Sequence, residues 1–140
     1  MKHFALSDQP IDPDVMRPGL RAAYPAAYLE FQALVPAEWQ ARAVAGMDVE
    51  AVPGLSEREA EALIEEILAR RPEIEMAGVH RVGSLAVGDC VAWIGLAGVR
   101  FEILQAALDE LIALFRERVP IWKRLVFQDG EQMWLERGGP

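Results

Sequence analysis

Arg116–Leu125 reads "RERVPIWKRL" and changes character halfway: a run of helical spacing ends in Arg-Glu-Arg, Pro120 intervenes, and Ile121-Trp122-Lys123-Arg124 starts an extended segment. Proline has no N–H to give a helix and pushes the residue before it out of the helical region. The stretch therefore predicts a helix that stops near Arg118 and a strand that follows at once. It also sets four cations, Arg116, Arg118, Lys123 and Arg124, around one chain reversal in a protein of formal net charge -8. Either these cations solvate a turn, or they line a pocket for an anion.

Working outward from the reversal, the segment Arg100 to Arg118 places Phe101, Leu104, Leu108, Leu111, Ile112 and Phe115 at i, i+3 and i+4, the stripe of an amphipathic helix. After it, "IWKRLVFQDGEQMWLE" is two extended runs about Asp129-Gly130, the strongest short hairpin signal in the chain. Before it, "IEMAGVHRVGSLAVGDCVAWIGLA" (Ile74–Ala97) reads as strand, glycine-bearing turn and strand, with Gly83 and Gly88 as punctuation. "PGLSEREAEALIEEILARR" predicts a helix in which Ser56 and Glu59 form a capping box and Leu63, Ile64, Ile67 and Leu68 the buried stripe. Nearer the amino terminus, "AAYLEFQALV" from Ala26 and "MDVEAV" (Met47–Val52) suit strands, separated by an irregular stretch from Pro36 to Gly46. Asp12-Pro13 can open a short helix, which Pro18-Gly19 interrupts. The fold class is α+β.

At 140 residues the chain is sized for one domain, residues 1–140, with a core that folds without staples. Hydrophobic content of 52% and a mean hydropathy of +0.10 fit a soluble protein, and no apolar run approaches the ~18 residues of a membrane span. The amino terminus has no apolar secretory region, which predicts a cytoplasmic protein. The single cysteine, Cys90, sits in an apolar string and reads as a strand thiol without a role. The acidic balance, with no Lys/Arg run to offset it, excludes nucleic acid as a partner. His3 and His80 are the only histidines, and no Cys/His cluster, Walker-type loop or nucleophile elbow occurs, so no metal or other cofactor is expected. Chemistry must rest on Lys, Arg, the carboxylates and His80.

"GVHRVGSLAVGD" (Gly78–Asp89), the long helix after it, "VPIWKR" (Val119–Arg124) and "DGEQMWLE" together resemble the large subunit of molybdopterin synthase. The resemblance runs from about Pro53 to Glu136, and upstream Phe31 falls where that family has the phenylalanine of an F-x-G-x-V-R string. It implies an α/β hammerhead-like domain that dimerises and joins a small ubiquitin-like subunit as a heterotetramer. The implied activity converts cyclic pyranopterin monophosphate to molybdopterin, with sulfur from the small subunit's C-terminal thiocarboxylate. By the same resemblance Lys123 falls on the lysine of P-x-W-K and is the candidate catalytic group. Arg100, Arg116 and Arg124 are candidate cations for the substrate's phosphate and the incoming tail.

The chain departs from the family where chemistry is at stake. A second family lysine, late in the long helix, is Arg116 here; a His-Arg pair at that helix's start is Arg100-Phe101. The string's glycine and arginine positions hold Ala33 and Pro36, and the acid after W-K-R is Leu125. Arginine holds an anion well, but with a pKa above about 12 it cannot exchange protons near neutrality. Two readings stand: a working sulfur-transferring enzyme, and a catalytically degenerate homologue that binds without turning over. A blander α+β interaction domain would leave the basic turn unexplained. His80-Arg81 matches the family's H-R-x-G, which makes His80 a support residue. The tail "RGGP" reads as a frayed terminus.

Overall fold

A computed structural model describes residues 3–135; Glu136 and the "RGGP" tail lie outside them. Its elements run β1 (Phe4–Ser7), α1 (Pro13–Arg21), β2 (Ala27–Leu34), β3 (Glu38–Trp39), β4 (Arg42–Ala51), α2 (Leu55–Arg70), β5 (Glu75–Arg81), β6 (Gly83–Ala86), β7 (Cys90–Gly98), α3 (Phe101–Arg118), β8 (Ile121–Phe127) and β9 (Gln132–Trp134). One sheet has the order β1-β5-β7-β2, with β1 parallel to β5 and the other pairs antiparallel. The second has the order β3-β4-β8-β9, with β6 added on β4. The class is α+β, as the alternation of patterns predicts.

The two long helices bury the stripes read from sequence. Leu63, Ile64 and Ile67 of α2 and Leu104, Leu108 and Leu111 of α3 join Leu96, Met47, Leu125 and Phe127 in one core cluster. On the other face of the first sheet α1 packs through Leu20 against Trp93. A side chain at Gly95 would reach within 2.5 Å of both Leu20 and the Trp93 ring, so only glycine admits this helix so close. Arg17 of α1 clamps Glu30 of β2 through two hydrogen bonds of 2.7 and 2.9 Å, and the guanidinium holds that carboxyl down to about 2.

Three local expectations change. The first helix is not interrupted at Pro18-Gly19 but continues to Arg21. Asp12 caps it, accepting from the Asp14 N–H at 2.9 Å, and Pro18 forfeits a single helical bond that the Leu20 and Arg17 contacts outweigh. The stretch from Pro36 to Gly46 is not irregular: β4 begins at Arg42 and pairs with β3 across Gln40 and Ala41, whose φ values are 50° and 63°. Such turns normally advertise themselves with Asn or Gly. Here the strain is held by Arg42, which lies 3.8 Å over the Phe127 ring and bonds Asp129 and Glu131. The start of α2 shifts too. Gly54 is the N-cap and its N–H donates to Glu57, while buried Ser56 donates to the Pro120 carbonyl at 2.7 Å. Ser56 thus ties α2 to the chain reversal instead of capping its own helix.

Candidate active site

The reversal read first in the sequence is where the two sheets and α3 meet. Val119 caps the helix, donating its N–H to the Phe115 carbonyl at 3.0 Å, and β8 leaves antiparallel to β4. In a strand successive side chains take opposite faces. Ile121, Leu125 and Phe127 are buried and Trp122 is exposed, so Lys123 shares the inward face and Arg124 the outward one. That period separates the two adjacent cations.

Lys123 and Arg116 line one cavity that opens to solvent. Its floor is the first sheet: Phe31 and Ala33 on β2, Gly78 and His80 on β5, Ala92 and Ile94 on β7. Leu111, Ile112 and Phe115 of α3 form the wall, and Phe4 closes the β1 side. The cavity is apolar apart from two cations and one imidazole, the composition of a site for a small organic ligand with an anionic group.

Burial, and secondly the Arg116 charge, push the Lys123 amine down to about 8. Burial, and secondly the Lys123 charge, lower His80 to about 4. His80 is 3% exposed, its Nδ1 stands 2.8 Å from the Arg81 carbonyl, and its ring stacks on Phe115 at 5.9 Å and 3°. At neutral pH it is an uncharged imidazole beside a lysine that is partly an uncharged amine.

The other predicted cations go elsewhere. Arg124 bonds Asp48 at 2.7 Å and lies 5.1 Å over the Trp134 ring, on the opposite face of the sheet. Arg118 makes a two-pronged pair with Glu66 of α2 at 2.7 and 2.9 Å. Arg100 is exposed at the N-cap of α3, about 24 Å along the helix axis from Arg116. Of the four cations around the reversal, two line the cavity and two fasten the fold. Leu125, at the family's acid position, is fully buried in the core. Cys90 is half-buried, donates to the Ala92 carbonyl, and has its thiol pushed up by burial.

Sequence reading misses the aromatic wall. Phe115 belongs to the core stripe by its spacing, and helical spacing does not tell a cavity wall from a packed core. Phe4 offers no signal, because its place depends on β1 joining β5 across a separation of more than seventy residues.

The depressed lysine has a consequence for stability. The folded chain binds the Lys123 proton less tightly than the unfolded chain does, so below about pH 8 the buried charge costs stability; a depression from 10.5 to about 8 corresponds to roughly 3 kcal/mol as an upper bound. The cost fades as pH rises from 8 to 10.5, and stability rises across that window. Lys123→Met is therefore expected to stabilise the protein at pH 7 by about 1–3 kcal/mol. The gain should shrink as the pH approaches that of a free lysine, which urea unfolding at a series of pH values checks.

Comparison with known proteins gives the family of the chain. A molybdopterin synthase catalytic subunit from Halalkalibacterium halodurans is 28% identical over 134 residues, covering 96% of this chain and 85% of its own length. The crystal structure of molybdopterin synthase from Staphylococcus aureus superposes with a TM-score of 0.86 at 26% identity, over 96% of this chain and 98% of that one. A chain from the complex of subunits 1 and 2 of the molybdopterin-converting factor of Helicobacter pylori shares the fold, with a TM-score of 0.76 at 14% identity, over 95% and 90% of the two chains. The sequence model of the MoaE protein family matches residues 6–118, from β1 to the last turn of α3, and on that match the chain belongs to the MoaE family.

Proposed function

We propose that residues 1–140 act as a single large-subunit domain of a cytoplasmic molybdopterin synthase. In this reading the chain holds cyclic pyranopterin monophosphate while two small ubiquitin-like subunits, each ending in a thiocarboxylate, deliver one sulfur apiece to it and leave as carboxylates. The observation that carries it is the pairing of Lys123 with Arg116 at an otherwise apolar cavity: permanent charge from one, an exchangeable proton from the other. Arg116 attracts the phosphate or the incoming tail, and Lys123 gives and takes protons as the sulfurs are installed. Membership of the family and the named catalytic subunits among its relatives support the assignment.

The chain acts as a homodimer that binds two small subunits. Val99 and Phe101, 71% and 50% exposed on either side of Arg100, are apolar side chains that an assembly would cover. The test combines assembly and turnover. Sedimentation with the small subunit should show the heterotetramer, and mixing the thiocarboxylated small subunit with cyclic pyranopterin monophosphate should yield the dithiolene product. A monomer at tens of micromolar would remove the dimer. Binding of both ligands with no product would favour the non-catalytic homologue, for which Arg116 in place of a lysine is the motivating observation.

A further inference from the structure

We propose that His80 reads the ligand: its Nε2 accepts a hydrogen bond from an N–H or O–H donor on the ring system held in the cavity, and so selects pterins that present that donor. The inference rests on the cavity being a pterin site and adds to it the group that recognises the ring. It begins with the tautomer. The Arg81 carbonyl has no hydrogen to give, so at 2.8 Å the Nδ1 of His80 must be the donor. In a neutral imidazole the other nitrogen is then bare and can only accept.

The surroundings keep the ring in that state and that orientation. Burial and the nearby Lys123 charge oppose a second proton. The parallel stack on Phe115 fixes the plane of the ring. Gly78, Ala92 and Ala33 beside it are too small to cover it, and all three line the same cavity. The hydrogen bond His80 makes among the described residues is through Nδ1, and no donor among those residues bonds Nε2. The cavity thus brings cations at Arg116 and Lys123 and a bare lone pair at His80 together among apolar walls. Its complement is a molecule that carries both an anionic group and a hydrogen-bond donor.

The test uses the full chain, cyclic pyranopterin monophosphate and inorganic phosphate, with affinities from calorimetry at pH 7. His80→Phe keeps the ring and its stack but removes the lone pair, and should weaken pterin binding about 10- to 100-fold while leaving phosphate unchanged. His80→Gln, whose amide oxygen restores an acceptor, should recover most of that loss. In the parent, the ¹⁵N resonance of His80 Nε2 should move upfield when the pterin is added and stay in place with phosphate, a readout independent of how the variants fold. Equal pterin affinity in the parent and His80→Phe, or an Nε2 resonance that ignores bound pterin, would overturn the role of His80 and leave the pterin site standing. A parent that binds phosphate but no pterin would overturn both.

Discussion

Lys123→Arg should abolish most conversion while sparing binding: single-turnover conversion of cyclic pyranopterin monophosphate falls by about 10²–10⁴, the worth of a positioned acid or base. Affinity for substrate and for the small subunit's tail should change by less than about tenfold, because the positive charge stays. The argument turns on what burial has done to the amine. Held down to about 8, Lys123 is roughly one-quarter neutral at pH 7.5, against about one part in a thousand for a lysine in water. That supply of base is what a guanidinium removes. Arg116 casts doubt on turnover by its identity alone, since it replaces a lysine and cannot exchange protons. Its placement changes the weight of that substitution, because its charge helps keep Lys123 poised near neutrality. Lys123→Arg that still turns over at the parent's rate would move proton transfer to another group and leave Lys123 as an anion holder.

What is legible in the sequence follows from the range of the forces involved. Helices α2 and α3, the β8–β9 hairpin and the stop at Pro120 are set by neighbours within a turn or two, and their patterns sit on the chain itself. The β3–β4 hairpin escapes because its turn residues, Gln40 and Ala41, are poor choices locally and are held by Arg42 reaching Phe127, Asp129 and Glu131 far along the chain. The destination of β6 is hidden for the same reason. Gly83–Ala86 lies between two strands of one sheet yet pairs with β4 in the other. At the site, resemblance supplies Lys123 and Arg116, and both line the cavity. Strand alternation, applied at Lys123-Arg124, already implies that the two side chains part company; Arg124 goes to Asp48 and Trp134. For Arg100 the chain contains its own measure, the length of α3, which sets it a whole helix away from Arg116. His80 is legible as a residue but not as a tautomer, since that depends on a carbonyl direction only the fold provides.

Arg116→Glu separates the two services assigned to that arginine. The Arg116 charge is the second cause, after burial, of the depressed Lys123 amine, so replacing it by a carboxylate should let the amine rise. A rise of about one pH unit lowers the neutral fraction near pH 7 about tenfold. Loss of attraction for the phosphate or the thiocarboxylate should cost about another tenfold in KM, since charge-assisted contacts to an anion become repulsive. Together kcat/KM at pH 7 is expected to fall about 10²-fold. The two losses part on titration. Raising the pH above the new inflection restores the amine and with it most of kcat, whereas the raised KM persists because the introduced carboxylate stays ionised. Added salt should narrow the KM gap, as Arg116 is exposed and a charge placed there is screened. Arg116→Lys keeps a cation in place and should change the profile far less. An inflection that stays near 8 in Arg116→Glu, with only KM altered, would assign the depression of Lys123 to burial alone and leave Arg116 the single task of holding the anion.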